Sequence, residues 1–124
     1  MPFLIGGAIL DGLIVSNHGG RQLDSATAPL RMLPQILEQF KDGPVMLDSG
    51  VRRGGDVLKA LAMGAQCVFL GRPFNYAAAV GGAAGVDHAI SLLQQEVSRN
   101  MAMMGVTSLE ELTPECLLHI AKYN

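Results

Sequence analysis

The sequence contains no Trp, and its 124 residues include only four Phe and two Tyr. β-Sandwich modules, which build their cores and interfaces on aromatic side chains, are therefore poor candidates. There is no basic excess. Nine Lys and Arg stand against eleven Asp and Glu, a net charge of −2. A surface that binds nucleic acid by neutralising phosphates needs the opposite balance. Cysteine is scarce too: Cys67 and Cys116 lie far apart and share no ligand-type spacing with His18, His88 or His119. A disulfide scaffold and a structural zinc site are both excluded as expectations, and reduced thiols in a cytoplasmic protein are the reading. No apolar run approaches the ~20 residues of a membrane span. Met1 to Leu10 holds no Lys or Arg, so it lacks the basic start of a secretory signal. Charged residues make up only 16% of the chain and hydrophobic ones 49%, which is too apolar for disorder.

What the chain does have is 15 Gly and a mean hydropathy of +0.30, which point to tight turns and aliphatic packing. Short apolar runs alternate with helical periodicity, the pattern of an α/β protein with a parallel sheet. The strand candidates are Gly12 to Val15, Val45 to Leu47 and Cys67 to Leu70. Each is apolar throughout, as expected of a strand covered on both faces. Leu30, Leu33, Leu37 and Phe40 form a helical stripe after Pro29, with Pro34 predicted to start or kink the helix. Val57, Ala60 and Leu61 mark a second helix over 54–63, followed by Gly64. Val86, Ile90, Leu93, Val97, Met101 and Met104 mark a long helix from about Gly85 to Met104, ended by Gly105. The Gly-Ala stretch 77–85 reads as the loosest segment. Ser108 and Glu111 have capping-box spacing, and Thr113-Pro114 predicts a last helix to about Lys122.

All three strands end in polar residues mixed with glycine, at the same end of the sheet. The first constellation is Ser16-Asn17-His18-Gly19-Gly20-Arg21-Gln22-Leu23-Asp24. Glycines let the backbone turn sharply, imidazole exchanges protons near neutral pH, and a guanidinium grips a carboxylate with two parallel donors. A histidine at a strand end also serves simply as a hydrogen-bonded structural residue, which is the competing reading of His18. The second constellation is Asp48-Ser49-Gly50-Val51-Arg52-Arg53-Gly54-Gly55-Asp56, where a strand passes through glycines into a helix. Free amides at that helix start, with Arg52 beside them, are expected to face an anion. Gly71-Arg72-Pro73 repeats the arrangement one strand later. Phosphate bound after two consecutive strands is the arrangement of the last two strands of a (β/α)₈ barrel. The alternative is that Arg52, Arg53 and Arg72 merely pair with Asp48 and Asp56. His88 and His119, the seven Met and Lys59 are read as surface or core-filling residues, and Asp24 and Asp56 as residues that order their loops or cap helix starts, Asp56 by its helix-start position.

The His-Gly-Gly-Arg-Gln piece, the Asp-Ser-Gly-Val-Arg-Arg-Gly loop, 58–65 and 68–73 resemble the FMN-dependent 2-hydroxy acid dehydrogenases and oxidases. That family includes glycolate oxidase, lactate oxidase, L-lactate dehydrogenase, flavocytochrome b2 and mandelate dehydrogenase. The resemblance runs from Asp11 to about Pro114. It implies a (β/α)₈ TIM barrel, of which residues 1–124 supply the C-terminal part: the last three strands and the helices that follow. It implies FMN as cofactor and oxidation of a 2-hydroxy acid to the 2-oxo acid. His18 would be the base, and Arg21, with His18, would bind the substrate. Ser16, Asp48, Ser49, Gly50, Val51, Arg52, Gly71 and Arg72 would contact the flavin and its phosphate. No metal is implied.

Against a whole barrel, the chain is short: ~250 residues is usual for the fold. Met1 to Leu10 does not fit the family pattern. The chain therefore reads as a fragment, inactive alone, with strand edges and inner surface left bare. Two alternatives remain: a residual half-barrel that binds FMN phosphate without turnover, or another FMN barrel such as a type 2 isopentenyl diphosphate isomerase. The isomerase would not need His18 and Arg21 together. Expected partners are a small 2-hydroxy acid, an acceptor among oxygen, quinone and cytochrome, and other copies of the chain; nucleic acid is not among them. The expected location is the cytoplasm, with peripheral membrane attachment open for the full enzyme.

Overall fold

Three parallel strands lie in sequence order across one sheet: β1 (Leu13–Val15), β2 (Val45–Leu47) and β3 (Cys67–Val68). They belong to a computed structural model that describes residues 10–119. The expectations for Met1 to Ile9, and for the end of a last helix near Lys122, lie outside those residues. Register pairs Leu13 with Val45, then Ile14 with Met46 and Cys67, then Val15 with Leu47 and Val68. Because side chains alternate along a strand, Val15, Leu47 and Val68 share one face, and Ile14, Met46 and Cys67 the other.

The two faces differ. Val15, Val45 and Leu47 are buried with Leu33 of α1 (Pro29–Gln39) and Ala60 of α2 (Gly54–Ala62), together with Val51 and Ala65. On the opposite face Ile14 is 53% exposed, Phe69 is 42% exposed and Cys67 is exposed. The expectation that every strand is covered on both faces therefore fails. An apolar run records that both faces avoid water, but not which surface covers them. β1 and β3 each have a single neighbour among the described residues.

α1 and α2 start where the sequence predicts, and α3 starts earlier. α1 begins at Pro29 and runs unbroken through Pro34, which is exposed and gives up only one backbone bond. α2 buries Ala60 of the expected stripe, together with Leu58 and Ala62, while the other two stripe residues, Val57 and Leu61, are half-buried. α3 spans Arg72–Met104 but is divided inside the Gly-Ala stretch, where Gly81 (φ −140°) and Gly82 (φ 56°) leave the helical region. The segment after this break matches the helix expected over 85–104. The segment from Arg72 was not expected; Pro73 suits its first turn and the alanines at 77–79 are strong helix formers. The left-handed Gly105 (φ 71°) ends α3 as predicted. Val97 and Met101 pack on a second small core of Leu58, Ala62 and Leu112, while Ile90 and Met104 remain 40% and 43% exposed. No helix among the described residues is long and apolar enough to cross a membrane.

The last segments are single turns, Leu109–Glu111 and Pro114–Cys116, so the helix predicted from Thr113 is only one turn within the described residues. The Ser108 capping box is displaced by one residue. Glu111 accepts from the Thr107 amide at 3.3 Å and from the Thr107 hydroxyl, while Ser108 makes no side-chain cap bond.

Candidate active site

Because Ser16 and Asp48 follow Ile14 and Met46 by two residues, the strand alternation sets them on the open face of the sheet, just past its C-terminal edge. The ladder continues into this region, with the Asp48 amide donating to the Val15 carbonyl (2.9 Å) and Phe69 to Leu47 (2.8 Å). Beyond it the backbone turns sharply. His18, Gly19 and Gly20 take φ values of 55°, 67° and 74°, which glycine adopts without steric cost and histidine only at some expense. The loop after β2 turns the same way, through Ser49 (φ 82°) and Gly50 (φ 84°).

A hydroxyl network ties the two loops together. Ser16 Oγ donates to Asp48 Oδ2 at 2.6 Å and accepts from the His18 amide at 3.0 Å. Ser49 Oγ donates to the same Oδ2 at 3.0 Å and accepts from the Gly19 amide at 3.0 Å. Both serines thus use their proton on Asp48 and their lone pairs on the His18-Gly19 turn. The Ser16 bond holds the Asp48 carboxyl below the usual carboxylate range, against the upward pull of partial burial. The Ser49 hydroxyl and amide and the nearby His18 charge lower it further. An ionised Asp48 accepts hydrogen bonds only, so it fixes both serine hydroxyls as donors and with them the backbone beneath His18.

Nine of the ten residues singled out in the sequence line one cleft of about 180 Å³ at these strand ends. His18 and Arg21 come from the β1 loop, Asp48 to Arg52 from the β2 loop, and Gly71 and Arg72 from the β3 end. Ser16, the tenth, lies outside the lining and acts through Asp48 and Ser49. Phe69, Pro73 and Asn75 also line the cleft and were not singled out. Phe69 could have been found by counting two residues on from Cys67, and Asn75 by its place in the first turn of α3. Asn17 is a further omission: its Oδ1 is buried without a partner among the described residues, while its amide reaches the Thr27 carbonyl at 3.5 Å.

The charge pattern decides between the two readings of the arginines. Arg53 pairs with Glu96 of α3 at 3.0 Å. Among the described residues Arg52 and Arg72 have no carboxylate partner, and the Arg72 guanidinium donates to the Gly19 carbonyl instead. Asp56 does not pair with a guanidinium either; its Oδ2 accepts the amides of Arg52 and Arg53, each at 3.1 Å.

That last contact corrects an expectation. The start of α2 is not open to an anion, because Asp56 takes the two amides before the helix and Glu96 Oε2 takes the Gly54 amide at 2.8 Å. Two carboxylates already satisfy the donors that an anion would need. What remains for an anion is the cleft itself, which Arg52, Arg72, Gly50 and Gly71 line together. A methyl group built on either glycine would meet nothing within 4 Å, so their Cα faces are open to a ligand. Two guanidiniums without carboxylate partners beside two bare backbone positions fit a phosphate group, and so the phosphate end of FMN.

Comparison with known proteins agrees in fold and chemistry. The family model described as FMN-dependent dehydrogenase matches residues 7–119, which extends the resemblance of 11–114 at both ends and takes in part of the N-terminal segment expected not to match. The L-lactate oxidase of Nostoc sp. is 52% identical over 101 residues, 81% of this chain and 28% of that protein. The cytochrome-linked L-lactate dehydrogenase of Saccharomyces cerevisiae is 51% identical over 114 residues, covering 87% and 19%. The crystal structure of a soluble mutant of membrane-associated (S)-mandelate dehydrogenase from Pseudomonas putida superposes with a TM-score of 0.82 at 46% identity, over 87% of this chain and 31% of that one. The chain spans less than a third of each, and its three-stranded sheet is a partial (β/α)₈ barrel.

Proposed function

Since the chain belongs to the family of FMN-dependent dehydrogenases, we propose that it carries the flavin-phosphate cradle and the proton-abstracting base of a 2-hydroxy acid oxidoreductase. The single observation that carries this is the cleft in which His18 and Arg21 share a wall with Arg52 and Arg72, the last two having no carboxylate partner among the described residues. The cleft thus gathers a proton acceptor, a carboxylate ligand and a phosphate ligand at one end of one sheet.

The chemistry divides among these residues. Arg21 binds the carboxylate of a substrate such as L-lactate through its planar pair of donors, which turns the hydroxyl-bearing carbon toward the cleft. His18 removes one proton from the substrate as it is oxidised to the 2-oxo acid. FMN, when bound, supplies the acceptor for the two electrons and the second proton released. Arg52 and Arg72, with the backbone at Gly50, Val51 and Gly71, hold its phosphate. Ser49 and Asp48 line the same cleft on the flavin side, and Ser16 sets the His18 turn through Asp48.

Turnover also needs a wall around the flavin ring. The open face bearing Ile14, Met46, Cys67 and Phe69 offers one side of it, so this chain alone binds FMN without oxidising substrate. The names of the relatives include an oxidase and a cytochrome-linked dehydrogenase, which makes oxygen or a cytochrome the acceptor class to test first. Location in the cytoplasm remains part of this reading. The test is a titration of the purified chain with FMN, followed by flavin fluorescence, with L-lactate, glycolate and mandelate added anaerobically. Saturable binding without bleaching is expected. Bleaching would overturn the claim that the chain alone does not turn over, and absence of binding would overturn the cradle.

A further inference from the structure

Two arginines stand side by side at the end of the β2 loop, and only one of them lines the cleft. Arg52 faces the strand-end cleft, whereas Arg53 is absent from its lining and reaches α3, where its Nη1 meets Glu96 Oε1 at 3.0 Å. The other Glu96 oxygen accepts the Gly54 amide at 2.8 Å. One carboxylate from the middle of α3 thus binds two successive residues, a side chain and a main chain, immediately after Arg52. The contact has no slack. A Cβ on Gly54 would stand 2.6 Å from the Val97 nitrogen and 2.7 Å from Glu96 Cβ, so α2 begins pressed against the backbone of α3. Arg72 lies at the start of α3, in the segment before the Gly81-Gly82 break, and Glu96 in the segment after it.

We propose that Glu96 is a positioning residue for the phosphate cradle: it draws Arg53 away, leaves Arg52 as the cleft arginine, and locks the β2 loop to the segment of α3 that follows the Gly81-Gly82 break. The proposal rests on the phosphate reading of the cleft given above. Its sign is unusual. Glu96 is an anion close to an anion site, so on charge alone its removal should tighten phosphate binding. A positioning role predicts the reverse, because without the carboxylate the Gly54 amide loses its acceptor, Arg53 is released, and the loop is free to leave the geometry in which Arg52 and Arg72 act together.

The readout is the ratio of riboflavin to FMN dissociation constants, measured by flavin fluorescence on the full chain. Riboflavin lacks the phosphate, so a general loss of structure lowers both affinities while the ratio reports the cradle. The wild-type chain is expected to prefer FMN at least tenfold. Glu96→Ala should reduce that preference about tenfold, and Glu96→Asp, which keeps the charge and withdraws the carboxylate, should reduce it severalfold. Glu96→Gln, which keeps an acceptor in place without the charge, should stay within about twofold of wild type. If Glu96→Ala does not fold, the Asp and Gln variants decide between position and charge. A preference that rises or holds in Glu96→Ala or Glu96→Asp, or that collapses in Glu96→Gln, overturns the role of Glu96. No preference in the wild type overturns the phosphate reading beneath it.

Discussion

Gly54 and Gly55 are adjacent, both in the first turn of α2, and the same substitution at each should have opposite effects. An alanine Cβ at Gly54 would lie 2.6 Å from Val97 N, 2.7 Å from Glu96 Cβ and 2.8 Å from the Glu96 carbonyl carbon. None of these is the far end of a flexible side chain, so no rotamer change relieves the clash. Either α2 or α3 must shift, and the Gly54–Glu96 bond with it. Overpacking of this kind costs about 1–3 kcal/mol. At Gly55 the new Cβ would meet only Asn100 Nδ2, at an ordinary 3.5 Å. There alanine restricts the unfolded chain and suits the helix, a gain of about 0.4–1 kcal/mol. The two variants should therefore differ by ~1.5–4 kcal/mol in stability. At roughly 3–6 °C per kcal/mol for a chain of this size, thermal unfolding followed by circular dichroism should place Gly54→Ala some 5–20 °C below Gly55→Ala. Equal midpoints, or Gly54→Ala as the more stable, would refute the close packing of α2 on α3.

Two further outcomes are expected at the site. Ser16→Ala removes the principal bond that holds the Asp48 carboxyl low, so its titration, followed by NMR, should move up toward the ordinary carboxylate value. A carboxyl depressed in the folded state adds stability above its unfolded pKa and loses it as pH falls through the folded one. Ser16→Ala should therefore unfold at higher pH on acidification than the wild type, and an unchanged acid midpoint would contradict this. His18→Asn keeps a residue that tolerates the positive φ of 55° and removes the base. In a protein that turns over, it should lower the rate about 10²–10⁴-fold with FMN affinity preserved. A loss of FMN binding in step with activity would instead make His18 a structural residue.

Much of this site is readable from the chain because strands and their loops are local. The three apolar runs, each followed by glycine and a charged or hydroxyl side chain, already say that Ser16 to Arg21, Asp48 to Arg52 and Gly71-Arg72 emerge at one end of one sheet. Pro29 and Gly105 fix helix ends for reasons confined to a single turn. What could not be read is what depends on contacts distant in sequence. Nothing around Glu96 distinguishes it from any other charged residue on a helix; its role arises only when α3 folds back on Gly54. The start of α2 looked open for the same reason. Asp56, by contrast, sits at a helix start three residues after Arg53, and its capping role there is read from the sequence. The Gly-Ala stretch does hold the break, at Gly81-Gly82; what was missed is the helical segment before it, because glycine was weighed above the alanines at 77–79.

The central claim is that Arg52 and Arg72 grip the phosphate end of FMN, and the measurement that tests it most directly is an FMN titration of the wild-type chain beside the Arg52→Ala/Arg72→Ala double variant. Charged hydrogen bonds contribute about 1.5–3 kcal/mol each, and 1.4 kcal/mol is tenfold in affinity. The double variant should bind FMN at least about a hundredfold more weakly, and inorganic phosphate should compete with FMN only on the wild type. FMN bound equally tightly by both proteins would contradict the account.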